Sequence, residues 1–192
     1  MSRKTALVFA VAIAVFAAIF TGCRQQAQTP EDVLRDWYGK NLFISEDGGY
    51  YWSSSPGNIN PDTGMPWMTI PLVGLFELEG GDGSEVSFAV VNEEVSVSDS
   101  EVAVVWQTGA ENISAAVDYW IEIYLDGEWY CLNADVATFG ERSELVPGVE
   151  REDAFALDYY YPAGKYRLIG EYSASGDPTG HKYLSAEFEI AG

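Results

Sequence analysis

Apolar and polar residues alternate most clearly between Val117 and Leu125. The odd positions of this stretch are apolar or aromatic, and the even positions are Asp118, Trp120, Glu122 and Tyr124. A period of two over nine residues predicts a half-buried strand. Asp126-Gly127 follows at once and favours a two-residue type I′ hairpin turn. The resulting register pairs Tyr124 with Trp129, Ile123 with Tyr130, Glu122 with Cys131 and Ile121 with Leu132.

Similar patterns predict further strands, separated by turn-forming residues. They lie at Thr69–Leu78, Glu85–Val97, Glu101–Gln107, Glu152–Asp158, Lys165–Ala174 and Tyr183–Ile190. Seven or eight short strands with almost no helix predict an all-β fold, an antiparallel β-sandwich over residues 67–192. Residues 23–66 are expected to form a tether and an irregular aromatic-rich segment. Within it, Thr29-Pro30-Glu31-Asp32 predicts the start of a short helix over Pro30–Tyr38, closed by Gly39.

Two sequence motifs resemble a bacterial immunoglobulin-like (Ig-like) domain, and the resemblance covers residues 86–190. The first is Trp120-Ile-Glu-Ile-Tyr-Leu-Asp-Gly-Glu-Trp-Tyr130, and the second is Tyr161-Pro-Ala-Gly-Lys-Tyr-Arg-Leu-Ile169. Asp126 and Gly127 shape the hairpin of the first motif. In the second, Pro162, Gly164 and Tyr166 fit a tyrosine corner, in which the Tyr166 hydroxyl bonds back to the preceding backbone. The resemblance implies a binding or spacer module without catalytic residues, so we expect no enzyme and no cofactor.

The first residues predict export and lipid anchoring. Ser2-Arg3-Lys4 is basic, Ala6–Phe20 is apolar, and Thr21-Gly22-Cys23 follows. This order is that of a secretory signal peptide over residues 1–22. Fifteen helical residues reach only about 22 Å, short of a hydrocarbon core of about 30 Å. The segment resembles a lipoprotein lipobox, with Phe20 where that family usually has Leu. The resemblance implies cleavage after Gly22 and a diacylglycerol on Cys23, which would hold the protein on the outer face of a bacterial membrane.

Charge and the rarest residues exclude several functions. Removing residues 1–22 changes the formal charge from −20 to −22, which argues against nucleic acid as a partner. Cys131 is the only cysteine besides Cys23, and His181 is the only histidine. No spacing therefore supports a zinc site, and we predict no metal site. His181 is expected to be a solvated loop residue, while Cys131 is either a small buried hydrophobe or a reactive thiol.

Aromatic residues supply the candidate ligand-binding site. Trp120, Tyr124 and Trp129 are predicted on the outer face of one hairpin, where they would bind a protein, peptide or glycan ligand. Alternatively, the aromatic residues of the N-terminal segment fold back over that face. This group comprises Trp37, Tyr50, Tyr51, Trp52 and Trp67.

Acidic residues suggest two further alternatives. One is a Ca²⁺-binding surface, since hard carboxylate oxygens suit that ion. Its candidate ligands are Asp82, Glu85, Glu93, Glu94, Asp153 and Asp177. The other is a small two-carboxylate hydrolase, which would require two acids facing each other in a cleft.

Overall fold

The computed structural model of this chain describes five ranges, namely 28–79, 85–134, 140–159, 161–177 and 179–192. The predicted signal peptide and Cys23 lie outside the described residues. So does the proposed calcium ligand Asp82. No helix in the described ranges is long and apolar enough to cross a membrane.

Helix α1 spans Pro30–Tyr38, as the sequence predicts. Its first turn is closed by a capping box, in which Thr29 Oγ1 accepts a hydrogen bond from Asp32 N at 3.2 Å. The Asp32 carboxylate accepts one from Thr29 N at 3.1 Å in return, so two otherwise unpaired donors are satisfied. The helix ends at Gly39, whose φ of 54° suits glycine. A 3₁₀ turn at Gly39–Asn41 leads into the first strand.

Thirteen strands form in the described residues. The first three are β1 (Leu42–Ile44), β2 (Tyr50–Trp52) and β3 (Ile70–Pro71). The next five are β4 (Val86–Val90), β5 (Glu94–Ser96), β6 (Glu101–Thr108), β7 (Ile113–Ala116) and β8 (Trp120–Leu125). The last five are β9 (Glu128–Cys131), β10 (Arg142–Leu145), β11 (Arg151–Ala156), β12 (Gly164–Ala174) and β13 (Lys182–Ala191).

These strands build an all-β sandwich of the predicted kind. The larger sheet has the order β10-β7-β12-β13-β5, with β8 paired to β12 and β9 to β8. The facing sheet has the order β11-β6-β4, and β1-β2-β3 form a separate small sheet. Strand pairs among the described residues are antiparallel except β5 with β13, which is parallel. Long strand β12 therefore forms the centre of the larger sheet.

The core lies between the two sandwich sheets and contains large aromatic residues. Trp106 of β6 is fully buried, and its ring centroid lies 4.5 Å from that of Phe88 on β4. Gly170 of β12 faces this indole, because a Cβ atom there would lie only 2.4 Å from Trp106 Cζ2. The absence of a side chain at Gly170 is thus what allows Trp106 to pack against β12.

The residues that precede β4, from here on called the N-terminal segment, close the free edge of β9. Cys131 N donates a hydrogen bond to Leu72 O at 2.8 Å, and Tyr38 Oη donates one to Cys131 O at 3.0 Å. The Tyr50 ring meets the Tyr130 ring edge-on at 5.7 Å. An exposed strand edge is a template for unwanted pairing, and here residues outside the sandwich occupy it.

Three strand predictions need correction. Thr69–Leu78 is not one strand, because only Ile70–Pro71 forms a strand, and Leu78 adds an isolated parallel bridge to Tyr183. The segment instead runs across the larger sheet, where its apolar residues pack on the sheet's side chains. Phe76, for example, packs on Trp120. Residues 85–97 form two strands in different sheets, β4 and β5. The segment expected to be irregular contains β1 and β2, and β7 and β10 were not predicted at all.

Candidate functional site

The predicted hairpin forms with the predicted register. Asp126 and Gly127 have φ values of 49° and 96°, the two positive angles that a type I′ turn requires. Tyr124 pairs with Trp129 and Glu122 pairs with Cys131 across β8 and β9. The Tyr124 and Trp129 ring centroids are 5.0 Å apart, so the expected aromatic pair on the outer face is confirmed.

Trp120, however, does not take part in an exposed aromatic face. Its side chain is only 7% exposed, because the Phe76 ring packs edge-on against it at 4.6 Å. The expectation that three exposed rings form one surface is therefore wrong at this position. Tyr124 remains 41% exposed, and Trp129 is partly buried.

The rings of the hairpin already contact cations from the neighbouring strand. The Arg167 guanidinium lies 4.5 Å from the centroid of Trp129, and Lys165 Nζ lies 5.3 Å from it. Arg167 Nε also donates to Glu122 Oε2 at 2.5 Å. Glu122 is 1% exposed, and its burial raises the pKa of the carboxyl above its ordinary value while Arg167 lowers it. These contacts make the outer face of the hairpin around Trp129 a packed polar network. They leave little of the Trp129 ring free for a ligand.

The second motif forms the hydrogen bond expected of a tyrosine corner. Tyr166 Oη donates to Pro162 O at 2.5 Å, and strand β12 begins between them at Gly164. The Tyr166 ring is fully buried and stacks on Phe188 at 5.6 Å. Pro162, Gly164 and Tyr166 therefore set the entry of the chain into its central strand.

A large cleft separates helix α1 from one end of the sandwich. Its volume is about 1330 Å³, which is above the usual range for small-molecule sites. The walls come from regions that are distant in sequence, chiefly the helix, the end of β11 with the following loop, and the loop after β9, with further residues from β2, from the end of β5 and from the C-terminus. Prominent lining residues are Asp36, Trp37, Trp52, Phe155, Asp158, Tyr159 and Tyr161.

Aromatic rings form one side of this cleft. The Trp37 ring contacts Tyr161 with the centroids 5.0 Å apart and Tyr159 with the centroids 5.8 Å apart. Tyr161 is buried beneath the indole, whereas Tyr159 is 71% exposed. Asp36 and Asp158 line the same cleft. Aromatic and acidic groups thus meet at a concave surface.

Comparison with known families identifies the sandwich. A family model described as a bacterial Ig-like domain matches residues 82–189. The chain belongs to this family. A comparison with curated proteins finds no match. Domains of the bacterial Ig-like family are generally non-catalytic, and the fold of this chain is the mostly-strand sandwich expected of one.

In this Ig-like chain, the sequence patterns did not predict the cleft. Trp37 was expected to help cover the hairpin, but it lies on Tyr161 instead. Three consecutive tyrosines at residues 159–161, before the Pro-Ala-Gly turn, were an available signal. Nothing in the local pattern says that helix α1 docks beside them, because that contact joins segments more than a hundred residues apart.

The two rare residues occupy defined environments. Cys131 is fully buried beneath the N-terminal segment, which supports the small-hydrophobe alternative over a reactive exposed thiol at this residue. His181 is exposed and lies outside the strands, as expected. Its Nδ1 also lies 3.0 Å from Glu171 Oε1 and 3.1 Å from an Arg142 nitrogen. Glu171 is buried and pairs with Arg142 at 2.8 Å, so His181 lies beside a buried ion pair.

The proposed calcium ligands that lie within the described residues do not form a metal site. No three acidic, cysteine or histidine residues in the described ranges are grouped to hold a metal ion. Asp153 instead pairs with Arg151 at 2.8 Å and accepts a hydrogen bond from Tyr119 Oη at 2.5 Å. Asp177 accepts one from Thr179 N at 2.9 Å within its own loop. These acids stabilise the fold locally.

Proposed function

We propose that this chain is a lipid-anchored, extracytoplasmic binding module. In this proposal residues 1–22 direct export, Cys23 carries the diacylglycerol, and the Ig-like domain presents a ligand site outside the membrane. The observation that carries the binding role is the aromatic cleft between helix α1 and the sandwich.

Binding is favoured over a spacer role by the composition of this cleft. A spacer needs a stable sandwich but no concave surface, and its exposed aromatic residues would be a liability for solubility. Here Tyr159 is largely exposed beside Trp37 and Tyr161. Aromatic side chains bury large areas and lose little conformational freedom on binding, so the cleft is better suited to a ligand than the hairpin face.

The hairpin supports a second, smaller candidate site. Tyr124 is 41% exposed, and its ring lies 5.5 Å from Lys165 Nζ. A peptide or glycan could stack on this ring alone, but Trp120 is covered and cannot join it. We therefore place the principal site in the cleft.

Photo-crosslinking in living cells tests the cleft. A benzoylphenylalanine replacing Tyr159 should give discrete crosslinked species on irradiation. The matched control carries the same group at Val146, which is 57% exposed and does not line the cleft. Identical crosslinking patterns at the two positions would show that the cleft has no ligand of its own.

The anchor has its own test. Replacing Cys23 by Ala should prevent lipid attachment and leave the signal peptide on the chain, since the modified cysteine defines the cleavage site. Mass spectrometry would then show the loss of the lipid and the retention of residues 1–22. A variant with unchanged mass and unchanged partitioning into detergent would refute the lipoprotein assignment.

A further inference from the structure

We infer that the cleft binds a cationic ligand with an apolar stem, namely a peptide segment bearing lysine or arginine side chains. This inference rests on the proposed binding function and specifies the chemistry of its ligand. Its two supports are the arrangement of the aromatic rings and the sign of the charge around them.

The rings provide a surface that suits a cation. Trp37 contacts both Tyr159 and Tyr161 and is tilted by 60° and 45° to their planes, so neither ring stacks flat against it. A cation over an aromatic face is attracted by the negative charge of the ring's π face, and tryptophan is the strongest partner. The aliphatic stem of lysine or arginine packs along such rings while its charged end reaches a polar group.

The lining of the cleft includes two acidic residues that could pair with such a charged end. Asp36 and Asp158 line the cleft, and its described lining contains no Lys, Arg or His. Both side chains are exposed at the cleft. Arg35, the basic neighbour of Asp36, is engaged with Glu31 at 2.6 Å instead. The hairpin supplies a comparison within the same chain, because there Arg167 and Lys165 already occupy the ring of Trp129. The cleft has the rings and the acids but lacks a cation of its own among its described lining residues.

Calorimetric titration with a pair of peptides tests the inference. The probe is acetyl-Ala-Lys-Phe-Lys-Ala-amide, and its partner is the same peptide with both lysines acetylated at Nζ. The protein is the chain from residue 24 to 192, which keeps every described residue. We expect acetylation to weaken binding at least about tenfold, equivalent to about 1.4 kcal/mol, because it removes the charge and keeps the stem.

Protein variants separate the cleft from the general negative charge of the chain. Asp36→Asn with Asp158→Asn should weaken binding of the charged peptide about fivefold, and Tyr159→Ser about tenfold, the range of one cation–π contact. The control, Glu144→Gln with Glu152→Gln, removes two exposed acids that do not line the cleft. It should change the affinity less than about twofold, since distant exposed charges are screened by salt.

Three outcomes decide between the proposals. Equal binding of the charged and acetylated peptides would overturn the cationic class, as would equal losses in the two double variants. If crosslinking at Tyr159 still differed from that at Val146, the cleft would remain a binding site for a neutral ligand such as a glycan. Matching crosslinking at both positions would instead remove the binding function itself.

Discussion

Removing the charge of Arg167 should destabilise the protein strongly, because it leaves Glu122 buried without its cation. The pair is joined by a 2.5 Å contact between Arg167 Nε and Glu122 Oε2, and Glu122 is 1% exposed. Breaking a buried ion pair from one side costs about 3–5 kcal/mol. For Arg167→Met this range applies at pH 7, and the lost contact with Trp129 adds to it. At about 2–4 °C per kcal/mol for a chain of this size, the melting temperature should fall by about 6–20 °C.

The stability cost of Arg167→Met should depend on pH, and the pKa of Glu122 determines the direction of that dependence. Burial raises the pKa of Glu122 above its ordinary value, and Arg167 opposes that rise. Without Arg167 the pKa should rise further. A carboxyl with a raised pKa in the folded state favours folding while it is protonated, below its unfolded pKa. This contribution is lost as the pH rises through the folded pKa. The cost of Arg167→Met should therefore be small near pH 4 and large at pH 7.

A double-mutant cycle with Glu122→Gln measures the effect. Urea unfolding followed by tryptophan fluorescence would be recorded at both pH values for each single variant and for the pair. Glu122→Gln in the Arg167→Met background should restore much of the lost stability at pH 7, since the buried charge is gone. Arg167→Lys, which keeps the charge, should lose less than Arg167→Met. A loss below about 1 kcal/mol, the value of an exposed pair, would refute the reasoning, and so would a loss that does not change with pH.

Three further predictions test the packing of the sandwich. Gly170→Ala should destabilise the fold by about 1–3 kcal/mol through overpacking, because its Cβ would lie 2.4 Å from Trp106 Cζ2; an unchanged urea midpoint would contradict this. Tyr166→Phe should cost about 0.5–1.5 kcal/mol by removing the hydrogen bond to Pro162 O, and the same unfolding assay would detect it. A chain reduced to residues 86–192 should aggregate in size-exclusion chromatography, since it exposes the edge of β9; a stable monomer would show that the N-terminal segment is dispensable.

The hairpin could be predicted residue by residue because its signals are local. Asp126-Gly127 fixes the turn, and the two-residue period of the flanking strands fixes which side chains share a face. The tyrosine corner is equally local, since Tyr166 bonds to a carbonyl only four residues earlier. In both cases the interacting residues lie close together in the sequence, so the local pattern is enough to predict the contact.

The residues that cover the outer face of the hairpin could not be predicted from local patterns. Alternation places Trp120 opposite the core, but it does not say what lies on that second face. Phe76 covers it from a run that reads as a strand by its apolar residues. Leu72 in the same run is fully buried although it lies just beyond the strand, because the run crosses the sheet instead of pairing along it. A contact between segments so far apart in the sequence produces no periodic pattern from which it could be predicted.

Helix α1 forms one wall of the cleft and also follows directly after the proposed tether. The matched Ig-like region covers residues 82–189, yet the helix that walls the cleft begins at Pro30. Only six residues lie between Cys23 and Pro30, and the seven steps of about 3.5 Å that join the two span at most about 25 Å. In the proposed lipoprotein the cleft would thus lie close to the bilayer. A full-length tether of about 25 Å is roughly three Debye lengths at physiological salt, a distance at which the charge of the bilayer surface is largely screened. Any preference of the cleft for basic peptides would then come from its own acids, Asp36 and Asp158.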